Sequence, residues 1–230
     1  MKIKAHIPNT LTLLNLFFGV MGIIQVLDGK IMHGAYFVLI AATFDFFDGF
    51  VARLLKVQSA IGKELDSLAD VVSFGVLPGV ILFSMAKSHS DQEWLPYLTL
   101  IVPMLSAYRL AKFNLDTRQS DRFLGLPTPA NALFISTLPY LALQWPAFGQ
   151  LITQPTSLVI IAWIFSILLI IELPLIALKF KNFGFGNNKF RYLLIVTGIV
   201  SFAWIQLAGI PLLILAYIAL SILEQVSGSE

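Results

Sequence analysis

The chain contains no cysteine and few charged residues. The absence of cysteine excludes disulfide bonds and thiolate metal sites. Charged residues make up only 12% of the 230 residues, whereas soluble domains carry roughly 25%. Apolar residues reach 57% and the mean hydropathy is +0.83, which is the composition of an integral membrane protein. The sequence contains no internal repeat, low-complexity tract or separate soluble domain.

Apolar runs of about 20 residues predict the membrane spans. They indicate an all-α fold, a polytopic membrane helix bundle that forms one domain over residues 1–230. Eight helices are expected, over residues 10–27, 32–54, 62–86, 94–113, 129–147, 155–178, 188–205 and 207–223. The turn before the last helix is very tight, so seven spans, or six spans with a re-entrant segment, are the alternatives.

The positive charges predict the orientation of these helices. On the expected topology, all 15 Lys and Arg residues except Lys30 and Lys87 fall on one side of the membrane. Cytoplasmic loops of membrane proteins carry an excess of Lys and Arg. The asymmetry therefore predicts an even number of spans, both termini in the cytoplasm, and a protein of the cytoplasmic (inner) membrane.

Acidic residues are concentrated between Asp45 and Asp70, where the flanking sequence is apolar enough for membrane helices. Asp45 and Asp48 are three residues apart, and Asp66 and Asp70 are four apart, so on helices each pair projects from one face. Two such faces turned together would form a cage of carboxylate oxygens. The repulsion between these carboxylates is relieved by protonation or by a bound divalent cation. Ligands that are all oxygen suit Mg²⁺, Mn²⁺ or Ca²⁺ rather than zinc.

Such a cluster at a cytoplasmic membrane face indicates a phosphate-containing substrate. Gly49 and Ala52 either let a nucleotide or diphosphate approach the helix backbone or serve helix packing. Arg53 either clamps the diphosphate or anchors the helix end at the interface. Two bound ions would suit phosphoryl-type transfer. Asp70 is expected to take a proton from the attacking hydroxyl, while the other three aspartates serve chiefly as metal ligands.

The central stretch also carries a longer pattern, D-x2-D-G-x2-A-R-x8-G-x3-D-x3-D, formed by Asp45, Asp48, Gly49, Ala52, Arg53, Gly62, Asp66 and Asp70. This pattern resembles the signature of the CDP-alcohol phosphatidyltransferase family, membrane enzymes that displace CMP from a CDP-linked lipid or alcohol. The resemblance implies a six-helix core, here with about two further C-terminal helices, and a homodimer. It also implies a site for two divalent ions, Mg²⁺ or Mn²⁺, at the cytoplasmic boundary.

The resemblance further implies roles for single residues. The metal ligands would be Asp45, Asp48, Asp66 and Asp70, and Asp70 would also act as the base. The CDP moiety would be contacted by Gly49, Ala52, Arg53 and Ser59. At the start of the first span, Asn9 and Thr12 resemble the family's contact with cytidine, although an N-cap is the alternative interpretation.

Residues 7–9, 14–16, 65–78 and 125–129 resemble the serine-using branch of this family. In that branch a phosphatidyl group passes from CDP-diacylglycerol to L-serine, which gives phosphatidylserine and CMP, and no nucleic-acid partner is expected. The carboxylate of serine needs a partner, for which Arg109, Lys112 and Asn114 are the candidates. Lys112 departs from the branch, whose members usually carry arginine there, so charge is kept but bidentate geometry is lost.

Two other functions stay open at this point. Glycerol 3-phosphate or inositol is the alternative acceptor within the enzyme class. An ion-coupled membrane transporter is the alternative of a different class, because acids within spans also mark ion pathways, although no paired broken-helix repeats are present. Glu172 interrupts the sixth apolar run, and it is expected to serve a functional site, to pair with a basic residue or to reach interfacial water.

Overall fold

The computed structural model describes residues 6–57, 59–115, 123–176 and 184–227. Ten α-helices are found in this part of the chain: α1 (His6–Leu27), α2 (His33–Leu54), α3 (Ala60–Asp70), α4 (Leu77–His89), α5 (Ile101–Leu115), α6 (Thr128–Gln144), α7 (Pro146–Ile152), α8 (Pro155–Ile170), α9 (Phe185–Ile205) and α10 (Gly209–Val226). A π-helical segment, Val71–Val76, joins α3 to α4, and short 3-10 helices, Leu95–Leu100 and Gln206–Ala208, precede α5 and α10. The prediction of an all-α membrane protein is confirmed.

Prolines and one serine set several helix starts. Proline occupies the first turn of α4, α6, α7 and α8, where its missing N–H would lack a helical partner in any case. Helix α3 starts after Ser59, whose hydroxyl accepts a hydrogen bond from the Gly62 N–H at 3.0 Å. The beginning of α3 is therefore fixed by the sequence itself.

The predicted sixth helix, 155–178, is wrong in its last third. Helix α8 ends at Ile170, and Ile171 has extended backbone angles of φ −68° and ψ 145°. Strand β2 (Pro174–Leu175) then pairs antiparallel with strand β1 (Phe123–Leu124). Pro174 explains the difference, because proline has no N–H to donate and disfavours helical conformation in the residue before it. Residues 177 and 178 of the predicted helix lie outside the described residues.

The continuous rod of α3, the π-helical segment and α4 lies at the centre of the bundle. In the most apolar window of Ala60–His89, 61% of the residues are buried inside the protein, against 22, 28 and 39% for the other three long apolar stretches. Phe74, Leu77, Ile81 and Leu82 in this rod are completely buried. The surrounding helices expose large apolar side chains such as Phe46 and Trp204, as expected for an integral membrane protein.

Four helical stretches among the described residues are long and apolar enough to cross a membrane: His6–Leu27, His33–Leu54, Ala60–His89 and Asn188–Val226. Helices α7 and α8, which are bent by 73°, would together make a fifth. The count of eight spans and the single domain over residues 1–230 stay predictions.

The last long stretch is a hairpin. The helix breaks at Gln206, whose φ of 48° is left-handed, and α9 and α10 then pack against each other. Arg191 near the start of α9 lies 3.8 Å from Glu224 near the end of α10, so the two helices run antiparallel. Gly209 permits the tight turn, since a Cβ there would lie 2.7 Å from the Ser201 carbonyl oxygen.

Two hydrogen bonds between separate parts of the chain mark the two ends of the bundle. At one end, Asn114 at the close of α5 donates to Ser67 Oγ on α3 at 2.8 Å. At the other end, Tyr140 of α6 donates to the Met32 carbonyl oxygen just before α2 at 3.0 Å. The first of these, called the site end below, also holds the start of α1 and the end of α2.

Candidate active site

Four aspartates meet at the site end. Asp45 and Asp48 come from α2, and Asp66 and Asp70 come from α3. One carboxylate oxygen each from Asp45, Asp48 and Asp66 lies within 4.8 Å of the other two. The Asp70 carboxylate lies close enough to Asp45, Asp66 and Asp48 for electrostatic repulsion between them. The two acidic helix faces therefore point at each other, with Asp70 beside the group of three.

The chemistry of these donors fits a divalent cation. Asp48 and Asp70 are buried, at 7 and 8% exposure, in a bundle of mostly apolar helices. Carboxylates this close repel each other unless a cation or a proton compensates them. Their oxygens are the hard ligands that Mg²⁺ and Mn²⁺ prefer. Asp45, Asp48 and Asp66 could hold such an ion, and Asp70 stands next to them.

Helix α1 orients two of the carboxylates with polar side chains. Thr12 Oγ1 donates to Asp48 Oδ2 at 2.6 Å, and Asn15 Nδ2 donates to Asp70 Oδ1 at 3.2 Å. Asn15 was not among the predicted site residues. Its position three residues after Thr12, on the same helix face, is the signal that could have found it. Partners of this kind fix the direction of a metal ligand or base.

The π-helical segment begins at Val71, directly after Asp70. Ser73 in this segment donates to the backbone oxygen of Asn15 at 3.0 Å, which ties α1 to the central rod just below the aspartates. Short π-helical segments occur frequently at functional sites because the wider turn changes the direction of neighbouring side chains. No sequence signal predicted this segment.

A cavity of about 520 Å³ opens beside the aspartates at the site end. Five of the six residues predicted to contact CDP line it, and the sixth, Arg53, does not. Arg53 lies next to the cavity, since a Cβ on Gly49 would be 3.5 Å from one of its guanidinium nitrogens. The full lining is Pro8, Asn9, Thr12, Asp48, Gly49, Ala52, Val57, Ser59, Ala60, Gly62, Lys63 and Asp66.

Gly62 and Lys63 shape the part of the cavity formed by α3. A Cβ on Gly62 would lie 2.8 Å from Ser59 Oγ and 3.0 Å from Asn9 Oδ1, so glycine lets the starts of α1 and α3 approach each other. Ser59 thus caps α3 and also lines the cavity. Lys63 was not among the predicted site residues, and its place directly after the patterned Gly62 is the signal that could have found it.

The three predicted serine contacts differ in their surroundings. Arg109 is buried, its Nε has no hydrogen-bond partner within the described part of the chain, and its charge lies within electrostatic range of Asp70. Lys112 Nζ donates to Glu172 Oε1 at 3.0 Å, so Glu172 pairs with a basic residue, one of the outcomes expected for it. Asn114 donates to Ser67. A narrow cleft is lined by Arg109, Lys112, Phe113, Leu124, Leu169, Ile170, Ile171 and Glu172.

The sequence model of the family described as CDP-alcohol phosphatidyltransferase matches residues 5–180, a region that holds all four aspartates, the cavity and the cleft. The chain belongs to the CDP-alcohol phosphatidyltransferase family. This family depends in general on divalent metal ions, in agreement with the oxygen-rich donor set at the site end. The α9–α10 hairpin lies beyond the matched region.

Several curated relatives of this chain have names that include serine. The chain is 35% identical to the CDP-diacylglycerol--serine O-phosphatidyltransferase of Mycobacterium leprae over 148 residues, which cover 61% of the chain and 49% of that protein. It is 32% identical to the enzyme of that name from Bacillus subtilis over 139 residues, covering 59% and 76%. It is 34% identical to the archaetidylserine synthase of Methanothermobacter thermautotrophicus over 134 residues, covering 57% and 56%. The matched part thus spans about half the length of the first and third relatives.

Proposed function

We propose that this protein transfers the phosphatidyl group of CDP-diacylglycerol to the hydroxyl of L-serine, giving phosphatidylserine and CMP. The observation that carries the proposal is the meeting of four aspartates beside a cavity large enough for a nucleotide head group. Family membership supports the transfer from a CDP-linked donor. The names of the relatives support serine as the acceptor.

Asp45, Asp48 and Asp66 are assigned as metal ligands, and Asp70 as a ligand that also acts as the base. Bound divalent ions, two Mg²⁺ or Mn²⁺, would neutralise the diphosphate and the charge that develops during transfer. Thr12 keeps Asp48 turned toward the cluster through its 2.6 Å hydrogen bond. The Thr12 hydroxyl donates to Asp48 and also to the Pro8 carbonyl oxygen. Contact with cytidine is therefore not its sole role.

The CDP head group is assigned to the cavity. Asn9, Gly49, Ala52 and Ser59 line it, and they surround the space between the start of α1 and the end of α2. Gly49 and Ala52 have no large side chains, so a diphosphate can approach the α2 backbone there. Arg53 is placed to pair with the diphosphate, and Lys63, which lines the cavity, adds a second positive charge.

Asp70 performs the proton transfer. The serine Oγ attacks the phosphorus that bears the diacylglycerol, a new O–P bond forms, and the bond from that phosphorus to the CMP phosphate breaks. The serine hydroxyl proton passes to Asp70, and CMP leaves with its phosphate. Asn15 holds Asp70 in place during this step.

The serine carboxylate is assigned to Arg109. Its guanidinium is buried on α5, carries an unpartnered Nε in the described part of the molecule, and lies within electrostatic range of Asp70. A guanidinium grips a carboxylate with two parallel hydrogen bonds. Lys112 lines the same cleft as Arg109, and Asn114 follows it at the end of α5, although each already has a protein partner.

An acceptor-resolved assay tests the proposal. CMP release from CDP-diacylglycerol is measured with serine, glycerol 3-phosphate and inositol supplied separately, for the wild type and for Asp70→Asn. Metal-dependent release with serine, nearly abolished by the substitution, is the expected result. Release with another alcohol alone would replace serine as the acceptor. Substrate flux in sealed vesicles without CMP release would indicate a transporter instead.

The protein is proposed to lie in the cytoplasmic membrane with both termini and the site end in the cytoplasm, as a homodimer. The clustering of Lys and Arg supports this orientation, and the family resemblance supports the dimer. Because the chain has no cysteine, single cysteines are clean probes. Cysteine at Lys56 should be shielded from a membrane-impermeant thiol reagent in intact cells, and cysteine at Lys30 should be labelled. Crosslinking in the membrane tests the dimer.

A further inference from the structure

The chain runs extended between α8 and the end of β2, and its backbone groups need partners inside a membrane bundle. Strand β1 supplies some of them through its pairing with Pro174 and Leu175. Gly125 supplies another by donating its N–H to the Leu173 oxygen at 2.9 Å. The position requires glycine, since its φ is +77° and a Cβ would lie 2.7 Å from the Leu169 oxygen. On one side, the extended segment is therefore held by hydrogen bonds from β1 and Gly125.

Helix α10 holds the same segment from the other side. Tyr217 Oη donates to the Ile176 oxygen at 3.1 Å, and the Ile176 N–H donates to Ser221 Oγ at 3.1 Å. Gln225 Nε2 donates to the Pro174 oxygen. The four-residue spacing of 217, 221 and 225 places all three on one face of the helix. This face, called the α10 clamp, lies beyond the region that the family shares.

The clamped segment carries Glu172 into the cleft beside Lys112. The two charged side chains are 49 and 38% exposed, so both face accessible space. Arg109 lies three residues before Lys112 on α5 and lines the same cleft. Its charge is within electrostatic range of Tyr217, the first residue of the α10 clamp, and of Asp70. The α10 clamp therefore contacts the extended segment, and this segment places Glu172 at the same cleft as Lys112 and Arg109.

Among the residues that the structure describes, two cations and one carboxylate line the cleft, and this balance favours one kind of acceptor. Serine brings a carboxylate and an ammonium group, whereas glycerol 3-phosphate brings a phosphate with about two negative charges. The Glu172 carboxylate attracts the ammonium, repels the phosphate, and offsets the Lys112 charge that a phosphate would otherwise use. Specificity often rests on such a repulsive element as well as on an attractive one.

Building on the proposed phosphatidyl transfer, we propose that Glu172, exposed at the rim of this small cleft, favours the approach of a zwitterionic acceptor over an anionic one. The α10 clamp positions Glu172 for this purpose. Glu172 is then a specificity-determining residue, and Tyr217, Ser221 and Gln225 are positioning residues that act through the extended segment.

The first test compares Glu172→Gln with Glu224→Gln. Glu224 is the matched control, because its carboxylate also pairs with a cation, Arg191, but does not line the cleft. Each full-length variant is purified, and CMP release is measured with serine and with glycerol 3-phosphate. For Glu172→Gln we expect the serine to glycerol 3-phosphate ratio of kcat/KM to fall about tenfold or more. The KM for CDP-diacylglycerol and the behaviour of Glu224→Gln should match the wild type.

A second comparison tests the α10 clamp with Tyr217→Phe and Tyr140→Phe. Both tyrosines donate to a backbone oxygen, Tyr217 at the extended segment and Tyr140 at the opposite end of the bundle. Loss of the Tyr217 hydroxyl should raise the KM for serine about fivefold, the effect of one hydrogen bond, without changing the KM for CDP-diacylglycerol. Tyr140→Phe should leave the serine KM unchanged.

The outcomes separate this inference from the proposed function. An unchanged acceptor ratio in Glu172→Gln, with a wild type that uses serine, would overturn the inference alone. Glu172→Asp keeps the charge and should retain the preference, so an equal loss in both variants would show a purely structural role and count against the inference. A wild type that prefers glycerol 3-phosphate, or that releases CMP with neither alcohol, would overturn both.

Discussion

Asn15 on α1 and Asp70 on α3 are joined by a hydrogen bond of 3.2 Å from the Asn15 amide to a carboxylate oxygen of Asp70. Asn15 is fully buried, and Ser73, three residues after Asp70, donates to its backbone oxygen. The amide and the carboxylate are thus held by two helices that are themselves tied together. A base needs this support, because proton transfer depends on a hydroxyl lying within hydrogen-bonding distance.

Replacement of Asn15 by leucine should lower kcat without weakening the binding of CDP-diacylglycerol. The reason is that Asn15 orients Asp70 but does not line the cavity. Loss of such an orienting partner reduces activity about 10- to 100-fold in comparable sites. Steady-state CMP release over a range of both substrates gives kcat and the two KM values. Ser136→Ala is the control, since Ser136 is also buried and its hydroxyl donates within its own helix, to the Leu133 oxygen.

The Thr12 hydroxyl should set the affinity for the metal. In Thr12→Val the 2.6 Å hydrogen bond to Asp48 is lost, so we expect the Mg²⁺ or Mn²⁺ concentration for half-maximal activity to rise about tenfold. Activity at saturating metal should stay near that of the wild type. Thr10→Val is the matched control, because Thr10 lies on the same helix and its hydroxyl donates to the His6 backbone oxygen rather than to an aspartate. Equal metal dependence in the two variants would contradict the role of Thr12.

The central acidic cluster could be predicted from sequence because helical periodicity alone puts each pair of aspartates on one face. The apolar runs on either side left no other element for Asp45 or Asp66 to occupy. Ser59 and Gly62 carry a capping signal that is equally local, since the hydroxyl and the N–H it accepts from are three residues apart. These parts of the fold depend on neighbours along the chain.

The acceptor side could not be predicted because it depends on contacts between distant residues. Lys112 and Glu172 are 60 residues apart. Their pairing requires α8 to end at Ile170, although the apolar sequence continues beyond that residue. Pro174 was a local warning, but it does not say that the chain becomes extended rather than kinked. The partners of that extended chain come from α10, 41 to 51 residues further on.

Gly49→Ala should separate substrate approach from helix packing, the two interpretations of this glycine. A Cβ on Gly49 would meet nothing closer than Arg53 at 3.5 Å, so the variant should fold with unchanged thermal stability. If the diphosphate lies against α2, the added methyl should raise the KM for CDP-diacylglycerol and leave the KM for serine unchanged.

Gly19→Ala is the contrasting variant. A Cβ there would overlap the Ser73 hydroxyl and lie 3.0 Å from the Ser73 Cα, so helix packing itself would be disturbed. We expect a loss of about 1–3 kcal/mol in the free energy of unfolding, measured as a lower midpoint of thermal denaturation in detergent. Comparable destabilisation by Gly49→Ala would assign Gly49 to packing and remove it from the substrate site.

Arg109 and Arg53 should act on different substrates, and replacing each with lysine tests this directly. Lysine keeps the charge but cannot donate two parallel hydrogen bonds to a carboxylate or phosphate. Arg109 is buried beside the acceptor cleft, so Arg109→Lys should raise the KM for serine about tenfold and leave that for CDP-diacylglycerol unchanged. Arg53 lies next to Gly49 at the edge of the cavity, so Arg53→Lys should show the reverse pattern.

Thermal denaturation first shows whether both arginine variants fold. Steady-state kinetics with each substrate varied separately then decides between these outcomes. If both variants change the same KM, the separation of donor and acceptor sides assigned to these two residues is wrong.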